Sequence, residues 1–112
     1  MSKVIPNADR AFVDLAKLRD YCLNPLHEVG KHKARVFKAA LGFTAHDAES
    51  LRDLLLEAVR TTEARLVPRT AYGQRYVVDI EAPGLSGSVI ICSSWIVRDG
   101  EDFHRLTSCY IK

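Results

Sequence analysis

The residues best suited to chemistry crowd into one run, from Gly30 to Gly42. Lys31, His32, Lys33, Arg35 and Lys38 occur there with no acidic residue among them. Val36, Phe37, Ala40 and Leu41 follow the spacing of a buried helical stripe, so the run reads as a helix with a glycine at each end. Projected backwards, the stripe lands on Lys33, three residues before Val36 and four before Phe37. That places a lysine on the inward face near the helix start, where the helix terminus and the neighbouring cations both favour an anion. The plainer alternative is a lysine whose apolar stem covers core surface while its ammonium reaches water.

Other candidates lie outside this run. His32 and His27 are suited to acid or base work near neutral pH, or are surface histidines beside a helix start. In Tyr72-Gly73-Gln74-Arg75-Tyr76, an inward Tyr76 turns Arg75 to the opposite sheet face. There Arg75 is free to hold a phosphate bidentately, or it pairs with Asp79 or Glu81. Strict alternation in the last strand puts Arg105, Thr107 and Cys109 on one facing and Leu106, Ser108 and Tyr110 on the other. Polar rows of this kind serve a site, or they keep an edge strand soluble. Trp95 reads as a core residue rather than a stacking platform.

His27, His32, His46 and His104 lack metal-ligand spacing, so no metal or other cofactor is expected. There is no glycine-rich phosphate loop and no nucleophile elbow. What remains is a set of cations, imidazoles and hydroxyls, which suffices for metal-free RNA cleavage because the 2′-hydroxyl nucleophile belongs to the substrate. In that reading Lys33 and Arg75 hold phosphate, and His32 or His27 serves as acid or base. Thr107 or Tyr110 assists, while Lys31, Arg35 and Arg105, with His27, hold the substrate. The competing reading is a non-catalytic module whose basic helix start docks an acidic protein partner or nucleic acid.

Several elements must position these groups. An irregular lead runs from Ser2 to Asn7, with Pro6-Asn7 as a turn signal. Ala11–Asp14 is a short strand or a helix lead-in. Leu15 to Leu23 is a helix with Leu15, Leu18, Tyr21 and Cys22 on one face, ended by Asn24-Pro25. Thr44 caps a helix from Ala45 to about Thr61, with Asp47 at its third position and Leu51, Leu54, Leu55, Ala58 and Val59 facing the core. Strands follow at Ala64–Leu66, around Tyr76–Ile80, at Val89–Val97 and at Leu106–Ile111, with Ala82–Gly87 as a turn. Val89–Val97 is apolar on both faces, as a central strand is. The expected fold is α+β: N-terminal helices packed on a four-stranded antiparallel sheet, in one domain spanning residues 1–112.

The 112-residue chain carries a formal net charge of only +2, but the charge is unevenly placed. Four basic residues and no acid lie between Lys31 and Lys38, whereas five acids against two arginines lie between Asp47 and Glu63. Such polarity focuses an anion onto one region, or it marks two solvated helix faces. Cys22, Cys92 and Cys109 sit inside apolar elements and read as buried reduced thiols, favouring a cytoplasmic compartment. No signal peptide or membrane span is expected.

A wider set of residues carries a resemblance. It comprises Pro6-Asn7-Ala8, the run Lys17–Pro25, His27, Gly30, the run His32–Phe37, Leu41-Gly42 and the run Tyr72–Tyr76. It also includes Trp95–Arg98, Gly100–Phe103 and Arg105–Tyr110. Together these resemble a small bacterial domain family of unknown function over nearly the whole chain, with His104 standing where the pattern leads one to expect proline. The resemblance implies a domain that occurs alone or at the C-terminus of larger secreted toxins. In layout it is similar to the ribonuclease superfamily of barnase, colicin-type tRNases and RelE-like mRNA interferases. That likeness implies a toxin-type endoribonuclease acting on tRNA or mRNA, with an antitoxin or immunity protein as partner.

Overall fold

The computed structural model describes residues 4–5 and 7–112, so half of the expected lead, Ser2, Lys3 and Pro6, lies outside them. A 3₁₀ turn at Ala8–Arg10 is followed by α1 (Leu15–Lys17), which runs on as a π-helical stretch, Leu18–Cys22. Next come α2 (Lys31–Leu41), a 3₁₀ turn at Ala45–Asp47 and α3 (Ala48–Ala58). The chain closes with β1 (Ala64–Thr70), β2 (Gly73–Gly84), β3 (Gly87–Arg98) and β4 (Arg105–Ile111). The strands form one antiparallel sheet in the order β1-β2-β3-β4, and the fold is α+β as expected.

The helix boundaries follow from local chemistry. Asp14 accepts a hydrogen bond from the Ala16 N–H at 2.9 Å and starts α1. The Leu23 N–H then reaches back to the Leu18 carbonyl at 2.8 Å, one residue further than an α-helix allows, which makes this turn π-helical. Gly42 ends α2 at φ 74, a left-handed conformation that glycine adopts without a Cβ penalty. Thr44 and Asp47 form a reciprocal cap: the Thr44 N–H donates to Asp47 at 2.8 Å and the His46 N–H to the Thr44 hydroxyl at 3.3 Å. The helix expected to reach Thr61 ends at Ala58, three residues sooner.

The strands outrun their expected lengths. β1 continues through Pro68 to Thr70, which is tolerated because it lies at a sheet edge. Pairing of β2 with β3 persists to Gly84 and Gly87, leaving only Leu85 and Ser86 of the expected turn to make it. The Leu85 N–H tucks against the Ala40 carbonyl at 2.8 Å, tying that hairpin to the end of α2. Ala11–Asp14 contributes one bridge: Phe12 lies parallel to Arg105, donating its N–H to the His104 carbonyl at 2.8 Å.

One sheet face packs on the helices. Val78, Ile80, Ile91, Trp95, Leu106 and Cys109 meet Leu18, Cys22, Phe37, Leu41, Leu51, Leu55 and Val59, all buried. Trp95 is fully buried as expected, and its indole N–H donates to Ser93 Oγ at 2.9 Å. Ser93 passes its own proton to the Val78 carbonyl at 2.7 Å, so this buried polar chain is satisfied. The expected α2 stripe needs correction: its buried residues are Ala34, Phe37 and Leu41, while Val36 is 43% exposed. Lys33 therefore lies beside the stripe, half-buried, rather than on it.

The alternation expected for β4 is also corrected. Ser94 pairs with Ser108 but Trp95 pairs with Leu106, so a bulge falls at Thr107. After the bulge, Leu106 and Cys109 share the core face. Arg105, Ser108 and Tyr110 share the other face with Arg75, which is aligned with Arg105 through Ile96.

Two substitutions test this packing by urea unfolding. Leu55→Ala, in the centre of the core, is expected to cost about 2–5 kcal/mol. Thr44→Ala is expected to cost about 1 kcal/mol through loss of the cap.

Candidate functional site

The strongest convergence of polar groups is where α2 crosses the edge of β4. Lys33 extends over that edge and its Nζ donates to Ser108 Oγ at 2.8 Å and to the Tyr21 hydroxyl at 3.4 Å. The ammonium stands 5.0 Å from the Tyr21 ring centroid and 6.0 Å from that of Tyr110, within range of cation–π attraction. Among the described residues, no carboxylate lies within ion-pair distance of Lys33. Its positive charge is held by hydroxyls and ring faces, which orient it without neutralising it.

Tyr21 is fixed from behind. Tyr21 lies in the π-helical stretch, and Gly30 lets it approach α2, since a Cβ on Gly30 would overlap the Tyr21 carbonyl and ring. His27 shapes the same corner: its Nδ1 accepts from the N–H groups of Val29 at 3.1 Å and Gly30 at 2.9 Å. Its ring lies 4.8 Å from that of Tyr21, so His27 braces Tyr21.

Beneath the site, Cys22 and Cys109, the chain neighbours of Tyr21 and Ser108, touch one another. The thiol and backbone N–H of Cys109 both donate to the Cys22 sulfur, and with the nearby Lys33 charge they lower the Cys22 pKa despite burial. The Cys109 thiol is pushed well up, first by that same hydrogen bond and then by burial. All three cysteines are free and buried.

His32, Lys33, Val36, Tyr110 and Ile111 line an open cleft of about 430 Å³, so His32 and Tyr110 join Lys33 there. The Tyr110 phenol is raised above its ordinary pKa, first by its hydrogen bond with Cys92. Thr107 lies one strand position off, on the bulge, donating its hydroxyl to the Ser94 carbonyl at 3.1 Å. Arg105 is held bidentately by Glu101 at 3.0 and 2.8 Å, and its guanidinium sits between the rings of Phe12 and Phe103. That pairing lowers the Glu101 pKa and occupies the guanidinium face best suited to a phosphate.

Arg75 projects from the second sheet face, as its register with Tyr76 predicts, but the structure does not bring it against Lys33. It lies two strands from β4, about 10 Å at ordinary strand spacing. The expected alternative pairing with Asp79 or Glu81 is not made either: Asp79 pairs with Lys112 at 2.9 Å and Arg65 at 3.3 Å. Lys31 and Arg35 face away from the cleft, lining a cavity on the other flank of α2 with Lys38. Tyr21 and Ser108 are the site residues that sequence reasoning passed over. The pairing of Tyr21 with Gly30 is visible only in three dimensions, and Ser108 was assigned its neighbours by an alternation that the bulge breaks.

A family model described as a domain of unknown function, DUF6883, matches residues 4–112. The chain belongs to that family. No curated protein and no solved structure matches it. The clasp around Lys33 in this DUF6883 domain thus stands on its own geometry. His104, where the sequence pattern led one to expect proline, is buried with its ring packed edge-on to Tyr76 at 4.7 Å. No helix among the described residues is long and apolar enough to cross a membrane.

Gly30→Ala tests how the clasp is built. The added methyl is expected to push Tyr21 off Lys33 and to cost about 1–3 kcal/mol, the usual range for overpacking. Tyr21→Phe, which keeps the ring and removes only the weaker hydrogen bond, is expected to cost under about 1 kcal/mol. Chemical denaturation of the two variants checks the order.

Proposed function

We propose that this chain is a metal-independent endoribonuclease of the bacterial toxin type, acting through the Lys33 cleft. The observation that carries the reading is an oriented ammonium with no carboxylate partner among the described residues, on a lysine that lines a cleft together with a histidine and a tyrosine. A cation so placed is complementary to the extra negative charge of a phosphorane transition state.

In the proposed reaction, His32 as base removes the proton of the ribose 2′-hydroxyl, and that oxygen attacks the adjacent phosphorus. Lys33 stabilises the non-bridging oxygens while Ser108 and Tyr21 hold its direction. The bond from phosphorus to the 5′-oxygen breaks, and the Tyr110 phenol supplies a proton to the leaving oxygen. The products are a 2′,3′-cyclic phosphate and a 5′-hydroxyl. Arg75, on the open sheet face, suits a flanking phosphate rather than the scissile one. In this reading His27 acts through Tyr21, and Thr107 acts through its hydrogen bond to the Ser94 carbonyl. The substrate class in this reading is tRNA or mRNA, the compartment of action is the cytoplasm, and an antitoxin or immunity protein would restrain the activity.

The test is incubation of the purified protein with total tRNA and with mRNA in EDTA, followed by mapping of cut ends. Discrete cuts bearing cyclic phosphates are expected. Lys33→Ala is expected to retain the folded circular dichroism spectrum and to lose about 10²–10³-fold in rate, the size of one lost oxyanion partner. Absence of cleavage by the parent protein, or full activity in Lys33→Ala, would overturn the proposal.

A further inference from the structure

The two flanks of α2 differ in chemistry. One carries His32, Lys33 and Val36 to the β4 cleft; the other carries Lys31, Arg35 and Lys38, a row at i, i+4 and i+7. This second flank borders a separate cavity of about 310 Å³ whose lining includes Leu23, Ala34 and Phe43. No acidic residue lines it, and among the described residues none of the three cations is in an ion pair.

We infer that this cavity is a docking surface for an acidic amphipathic segment of a partner protein. The pattern is a row of cations along an apolar hollow. A helix with carboxylates at the same i, i+4, i+7 spacing meets the cations one for one, while an apolar side chain from its inner face fills the hollow. Charge complementarity of this kind speeds and orients docking, and the buried apolar anchor holds the complex. Single-stranded nucleic acid fits less well. Its recognition uses exposed aromatic platforms on which successive bases stack, and this lining has a single aromatic residue, Phe43, which is partly buried. The inference does not depend on RNA cleavage, because the surface lies on the flank of α2 away from Lys33. A segment seated here would leave the β4 cleft open.

The experiment is an amide NMR titration of the full chain with a synthetic helical peptide bearing Glu at i, i+4 and i+7 and Leu on its inner face. Three further probes are a peptide with Lys for Glu, one with Ser for Leu, and a poly(U) oligonucleotide. The acidic peptide is expected to bind saturably, moving amides of Leu23, Lys31 to Lys38 and Phe43. Arg35→Glu combined with Lys38→Glu is expected to weaken it about tenfold. If that double variant fails to give a folded spectrum, Lys38→Glu alone is expected to weaken binding in the same direction. The Lys and Ser peptides are expected to bind far more weakly. The inference is overturned if the acidic peptide does not bind or moves amides elsewhere. It is equally overturned if the Lys or Ser peptide binds as well, if charge reversal has no effect, or if poly(U) moves these amides more strongly than the peptide does.

Discussion

The structure around the β4 edge depends on a cation that is held without being neutralised. A lysine ammonium half-removed from water needs polar partners, and here they are two hydroxyls and two aromatic faces. A carboxylate in the same place would hold it more strongly and would also cancel its field. Other basic residues of the molecule show that alternative: Arg105 is closed off by Glu101, Arg10 by Asp102, and Arg69 by Asp99. Lys31, Arg35 and Lys38 also have no carboxylate partner among the described residues, but they are exposed; Lys33 is set apart by being partly buried and oriented by hydroxyls and rings.

Holding such a group takes support from three separate parts of the chain. The π-helical turn brings Tyr21 forward, Gly30 admits it, and His27 braces its ring. From the other side, the bulge at Thr107 rotates Ser108 out of the core face while leaving Leu106 and Cys109 within it. Without that extra residue, a β4 with Leu106 inward would also turn Ser108 inward and Cys109 outward. Cys22 and Cys109, the chain neighbours of Tyr21 and Ser108, are both buried in the common core. Irregular backbone thus occurs on both sides of the clasp, and each departure has an identifiable consequence for where a side chain points.

Much of the fold was legible in the residues because its signals are local. Thr44 with Asp47, Gly42 after Leu41, and the apolar run from Val89 to Val97 each declare an element through chemistry within a few positions. The site was legible only in part. Lys33 stood out because it falls in line with an apolar pattern, and His32 and Tyr110 line the same cleft. The stripe that pointed to Lys33 holds at Phe37 and Leu41 but not at Val36, which is exposed while Ala34 is buried. The facing of β4 could not be read, since a bulge leaves no mark in an alternation counted residue by residue. Arg75 was assigned the correct face but not the correct distance, because register places a residue on a face without saying which neighbour wraps over the sheet edge.

The central claim is that the Lys33 ammonium is a built anion site, and direct observation of that group tests it best. The measurement is an NMR titration of the lysine side-chain resonances with a 2′-deoxy dinucleotide, which carries the phosphodiester but cannot be cut by 2′-hydroxyl attack. The account predicts a saturable shift of the Lys33 Nζ resonance, larger than that of any other lysine and abolished by Ser108→Ala together with Tyr21→Phe. Equal small shifts at every lysine, or a Lys33 resonance that ignores the phosphodiester, would contradict it.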